Sequence, residues 1–150
     1  MLIYISYNHH SSSYARRLYN SLRKHGMDAW FADLVEYGDD LDAAMNQNRE
    51  ECDAVILIMT PQAIASPAVQ AELEHLKKLN KKIYPLLLEE INENPFPQLR
   101  YVDVRDGKLP PKRFYQQLES LHIHDRLAGD TTASAPPPDI KKKKKERKGK

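Results

Sequence analysis

The chain has 150 residues, 41% hydrophobic and 29% charged, a size that suits one ordinary domain with a single core. Eight of the 23 Lys and Arg but only two of the 21 acidic residues fall in 131–150. Residues 1–130 therefore carry 15 basic against 19 acidic groups, so the net +2 describes the tail and gives no argument for nucleic-acid binding by the domain. No apolar run reaches the ~18 residues that a membrane-spanning helix requires. The lone Cys52 rules out an internal disulfide and suits a cytoplasmic setting.

Leu2 to Tyr7 is a short apolar run rich in β-branched and aromatic residues. It lacks a basic n-region and reads as a first strand rather than a signal peptide. Asn8-His9-His10 and a serine cluster end it. Tyr14, Leu18 and Leu22 then recur at helical spacing, and Gly26 closes that helix after the basic Arg23-Lys24-His25. Asp28 to Phe31 reads as a second, shorter strand, followed by a polar loop around Gly38. Leu41, Ala44 and Met45 mark a second helix, with Asp39 or Asp40 as its cap.

Ala54 to Met59 reads as the central buried strand. The helix that follows opens at Ser66, a natural N-cap, with Pro67 in the first turn, where a missing N–H costs nothing. Val69, Leu73 and Leu76 share its buried face, and Glu72 stands at the edge of that face, expected close to the core without being forced into it. Lys82 to Leu88 is a fourth strand. Pro95 and Pro97 precede a short strand at Tyr101 to Val104, and Pro110-Pro111 opens a last helix through Leu121. Strands alternating with helices imply a parallel α/β sheet with right-handed crossovers. Such sheets bind ligands at the carboxyl ends of their strands, where Glu72 is placed.

Several ligand chemistries drop out. A phosphorelay receiver ends its central strand on an aspartate, whereas this strand ends Met59-Thr60-Pro61. Dinucleotide binding of the Rossmann kind and flavin phosphate binding both use glycine in the first strand-to-helix turn, and Tyr7 to Ser13 has none. No P-loop pattern occurs. His9-His10 and His122-Ile123-His124 have no cysteine partner at zinc spacing, so no metal is expected. Cys52 reads as an inert core thiol.

Five boxes in order resemble the Toll/interleukin-1 receptor (TIR) domain family across residues 1 to 121. Ile3-Tyr4-Ile5-Ser6-Tyr7 is similar to the first-strand box, and Tyr14-Ala15-Arg16-Arg17-Leu18 to the first helix of the bacterial branch. Trp30-Phe31-Ala32-Asp33 followed by Gly38-Asp39-Asp40-Leu41 resembles the second strand and the BB loop. Cys52 to Leu57 with Ser66-Pro67, and Ile83 to Leu88, resemble the third and fourth strands. The resemblance implies a flavodoxin-like three-layer α/β fold with a five-stranded parallel sheet of order 2-1-3-4-5. A TIR domain is expected over 1–125, with a disordered, Pro-containing linker and polybasic tail over 126–150.

Many members of that family cleave NAD between nicotinamide and ribose, and the resemblance places the essential glutamate at Glu72. NAD is then the substrate, and no cofactor is expected. Nicotinamide departs neutral, so no general acid is needed, and the positive charge that develops on the ribose calls for a fixed anion. Glu74 is turned away by about 200° of helix and reads as surface. The resemblance further implies substrate contacts from Tyr7, Asn8 and His9 after the first strand, from Asp33 after the second, and from the BB loop at Gly38. Relatives often carry Trp four residues before the glutamate, where this chain has Ala68. Either Tyr7, Tyr37 or another aromatic replaces its ring, or the site binds NAD weakly. Trp30 reads as core.

Two functions follow from the resemblance: an NAD glycohydrolase releasing nicotinamide and ADP-ribose or a cyclic isomer in immune or toxic signalling, and a non-catalytic TIR adaptor. Both imply self-association or assembly with other TIR domains. The Lys141 to Lys150 tail, with eight basic residues, is expected to contact a polyanion.

Overall fold

Six consecutive apolar residues, Ala54–Met59, are all buried, a pattern that requires cover on both faces of a sheet. The computed structural model describes residues 1–121. Its strands are β1 (Leu2–Ser6), β2 (Asp28–Trp30), β3 (Ala54–Met59), β4 (Lys82–Leu87) and β5 (Val102–Asp103). They pair in parallel in the order β2-β1-β3-β4-β5, the order expected from the resemblance. The helices are α1 (Ser12–Lys24), α2 (Leu41–Glu51), α3 (Pro61–Ala65), α4 (Pro67–Lys78) and α5 (112–121). The chain divides into one unit over Met1–Tyr115 and a second from Gln116, whose described residues continue α5 to residue 121. The expected domain end at 125, the linker and polybasic tail over 126–150, and His122 and His124 lie outside the described residues.

Sheet register separates two core layers. Tyr4 lies opposite Val55 and Ser6 opposite Leu57, whereas Ile5 lies opposite Ile56. Side chains alternate faces along a strand. Tyr4, Val55, Leu57 and Met59 pack with Val69, Leu73 and Leu76 of α4. On the other face Tyr84 meets Phe114 edge-on with ring centroids 6.1 Å apart. There Ser21 of α1 donates to the Tyr115 hydroxyl at 2.8 Å, and His25 stacks on its ring at 4.0 Å. Tyr14, Ala15, Leu18 and Leu22 are the buried stripe of α1, and Gly26 takes φ +82° to close it.

One element departs from the sequence reading. The strand β3 does not run straight into the glutamate-bearing helix. The side chain of Thr60 accepts from the Ala63 N–H at 3.1 Å, Pro61 takes the first turn, and the one-turn α3 intervenes before Ser66 caps α4. Leu41, Ala44 and Met45 lie on α2, the expected second helix. Asp40 caps α2 through the Ala43 N–H at 3.0 Å, but no residue of α2 is buried, and Leu41 is 45% exposed. Strand ends are also shorter than the apolar runs. The β2 strand stops at Trp30 because a 3-10 turn follows over Ala32–Leu34, and β5 keeps just two residues.

Candidate functional site

Since Tyr4 and Ser6 face α4, the carboxylate between Val69 and Leu73 on that helix meets them. Glu72 is 6% exposed, which corrects the expectation of a rim residue. Four donors hold it there. The Tyr4 hydroxyl donates to Oε2, and Ser6 Oγ donates to Oε1 at 2.5 Å. Arg49, in the last turn of α2, donates to Oε2 from Nε at 3.0 Å and from Nη2 at 2.8 Å. A buried carboxylate needs such company, because an unpaired one would shed its charge. Burial is the main cause that lifts the Tyr4 hydroxyl well above the usual tyrosine range, and the neighbouring Glu72 charge adds to it. Tyr4 thus remains a neutral donor. Burial pulls the Arg49 guanidinium down, but its hydrogen bond and charge pairing with Glu72 and Tyr4 outweigh that and leave it raised and charged. Glu74 is exposed and pairs loosely with Lys77 at 3.6 Å, as expected of a surface residue.

The other candidates gather around a second feature. Asp33 and Gly38 line an open cleft of about 910 Å³, together with Arg16, Glu36, Tyr37 and Leu41. Tyr7 reaches Asp33 from the end of β1, donating to Oδ1 at 2.7 Å and accepting from the Asp33 N–H at 3.0 Å. Burial first, and then the Asp33 carboxylate, raise the Tyr7 hydroxyl above its ordinary range. Arg16 spreads over the Phe31 ring at 5.2 Å, and Gly38 takes φ +92°, a conformation that glycine adopts at little cost. Tyr37 is fully exposed. Asn8 and His9 form the turn before α1. Asn8 Oδ1 accepts from the His10 N–H at 3.0 Å, and the His9 and His10 rings lie 4.2 Å apart.

The cleft and the Glu72 network share no residue. Among the candidates, Tyr7, Asp33 and Gly38 come together, whereas Glu72 stands with three residues that were not singled out. Tyr4 and Ser6 carried a legible signal, since positions i and i+2 of a strand share a face. Arg49 carried none, because no apolar stripe marks where α2 turns toward the sheet. Trp30 packs against Tyr4 with centroids 5.3 Å apart, in keeping with a core role. Cys52 is buried, and burial pushes its thiol up to about 11. No cluster of His, Cys, Asp and Glu able to hold a metal, and no helix long and apolar enough to cross a membrane, occurs among the described residues.

A parallel sheet of this order, with a carboxylate beneath the carboxyl end of β1 and a polar cleft after β2, defines an α/β domain of flavodoxin-like topology. The chain belongs to the TIR domain family, whose family model matches residues 3–121. The TIR domain of the Toll-related receptor TRR-2 from Hydra magnipapillata is 18% identical, with a TM-score of 0.60 over 69% of this chain and 84% of that one. The CMP N-glycosidase BcmB of Clostridium botulinum is also 18% identical, with a TM-score of 0.54 over 79% of this chain and 99% of that one. Likeness at such identity concerns the fold alone. The search of curated proteins returned no match.

Proposed function

We propose that the protein is an NAD glycohydrolase in which Glu72 stabilises the ribosyl cation. The observation that carries this reading is the placement of Glu72, a carboxylate buried at the carboxyl end of β1 and oriented by two hydroxyls of that strand. A preorganised anion in a water-poor site is what departure of neutral nicotinamide requires. The C1′–N bond breaks with its electron pair going to nicotinamide. The ribose then takes water, with loss of a proton, to give ADP-ribose, or takes an adenine or ribose nucleophile to give a cyclic isomer. In this reading Asp33, with Oδ1 committed to Tyr7, offers Oδ2 to a ribose hydroxyl. The cleft lined by Gly38 takes the rest of the dinucleotide, with Asn8 and His9 as further contacts in this reading. The shared topology with BcmB, described as a CMP N-glycosidase, supports N-glycosidic chemistry by analogy of fold only.

A second reading, a non-catalytic adaptor, is favoured by one specific observation: both oxygens of Glu72 are already engaged, as in a structural ion pair. TIR domains assemble with one another, so both readings include self-association. Incubation of the full-length protein at high concentration with NAD decides between them. Free nicotinamide is expected from the parent and from Glu74→Ala, and none from Glu72→Gln. Release that persists in Glu72→Gln, or no release by the parent, overturns the enzymatic reading.

A further inference from the structure

We propose that Arg49 is a latch on Glu72, occupying the oxygen that a substrate ribose must reach and withdrawing with α2 when the substrate enters. The inference rests on the NAD reading above. Glu72 Oε2 accepts from three N–H or O–H groups, and a carboxylate offers about four lone-pair directions over both oxygens. Two of those directions belong to Oε2, which has none left for a ribose hydroxyl, while Ser6 takes one of the two on Oε1. The guanidinium also neutralises the charge that is to stabilise the cation, so Glu72 is weaker while Arg49 is bound.

The four donors are not equally fixed. Tyr4 and Ser6 sit on β1, which is paired on both sides and almost wholly buried. Arg49 sits on α2, which buries none of its residues. At 14% exposure against 6% for Glu72, the Arg49 side chain lies on the solvent side of the carboxylate. It is the one donor whose departure opens Glu72 outward. Its Nη1 is held by Asn46 Oδ1 at 2.9 Å within α2, so the guanidinium keeps a partner and moves with its own helix. Few buried apolar contacts mark a segment that opens at low cost. The pair is thus a side-chain anchor of a helix with no buried residue, whose end Lys81 also holds through Glu50 O at 2.8 Å, and α2 begins just after Gly38 and the cleft.

The test uses the full-length chain with Arg49→Gln and Arg49→Lys, read by hydrogen exchange and by nicotinamide release across a range of NAD concentrations. Exchange of the amides in 41–51 should rise at least about tenfold in Arg49→Gln and less in Arg49→Lys, with 67–78 still protected. The KM for NAD should fall at least about fivefold in Arg49→Gln with kcat not reduced, the mark of an internal competitor removed. Unchanged exchange in 41–51 overturns the latch, as does an unchanged or raised KM or a reduced kcat. If exchange rises across 67–78 as well, Arg49→Gln has lost the fold and the same readings on Arg49→Lys decide. Nicotinamide release by neither the parent nor the variants overturns the NAD reading. The exchange result then still decides whether Arg49 holds α2.

Discussion

Tyr7 and Asp33 exchange two hydrogen bonds, the hydroxyl donating to Oδ1 at 2.7 Å and accepting from the Asp33 N–H at 3.0 Å. The exchange ties the end of β1 to the turn after β2 and sets the wall of the cleft. Tyr7→Phe removes both bonds and leaves the ring in place against Phe31, 5.9 Å away. A net hydrogen bond contributes about 1 kcal/mol, so the loss in stability should be modest. In the enzymatic reading the main effect falls on substrate: KM for NAD rises several-fold with kcat nearly kept. A kcat that collapses while KM holds would place Tyr7 in the chemistry instead.

Removal of the Glu72 charge has a structural cost that its position on the helix did not foretell. Glu72→Ala leaves Arg49, Tyr4 and Ser6 without their acceptor. Breaking a buried ion pair costs ~3–5 kcal/mol, and because Arg49 reaches solvent we expect the low end, about 3 kcal/mol. Glu72→Gln keeps one acceptor oxygen and should cost less. Urea unfolding of the three proteins tests this; equal stability of Glu72→Ala and the parent would show that the network contributes nothing to the fold.

The contrast shows what the sequence made legible. Unbroken apolar runs such as Ala54–Met59, and capped amphipathic stretches such as Ser66 to Leu76, report local periodicity; the parallel sheet followed from their alternation, and its strand order from the family resemblance. The burial of Glu72 depends instead on Arg49, 23 residues away on a helix with no buried stripe, and on the register that turns Tyr4 and Ser6 to its side. The α3 turn was missed because five residues are too few to show a period, although Thr60-Pro61 carries the cap and first-turn signal. The pairing of Tyr7 with Asp33 likewise joins two loops, where no periodic pattern exists to read.

Ala68 is exposed on the first turn of α4, one turn before Glu72, so a larger side chain there meets solvent rather than core. Ala68→Trp should fold with unchanged stability. In the NAD reading its ring stacks on the substrate, and aromatic stacking contributes ~1–3 kcal/mol per base, so KM should fall about tenfold. An unchanged KM in a folded variant would mean that another aromatic already fills the space.

Alkaline pH should unfold the domain. Burial raises the Tyr4, Tyr7 and Tyr14 hydroxyls above their usual 10.0 and the Cys52 thiol from 9.0 to about 11. A group whose pKa is raised by folding adds stability while it stays protonated in both states, and that stability is lost as pH climbs through the folded value. Stability should therefore be level for these groups from pH 7 to about 9 and decline above it. Urea midpoints measured across that range, with tyrosinate absorbance near 295 nm as a second probe, check the sign; a midpoint that rises above pH 10 contradicts it.

Assembly and the tail make separable contributions. A Cβ added at Gly38 meets no atom within 4 Å, so the strain of φ +92° is the main cost of substitution. Left-handed backbone costs an ordinary residue roughly 1–2 kcal/mol, more for a β-branched one, too little to unfold a core whose central strand is fully buried. Gly38→Val should thus reshape the BB loop alone. In the parent, specific activity should rise with protein concentration, because this loop is expected to meet a neighbouring chain. In the variant that rise and self-association should fall together, with thermal unfolding little changed. Deletion of 131–150 should leave both intact and abolish binding to a polyanion such as heparin. Eight tail cations release counterions on binding, so parent affinity should drop steeply with salt. Specific activity that stays flat on dilution in a protein that remains monomeric counts against assembly, and polyanion binding that survives the deletion moves that contact onto the domain.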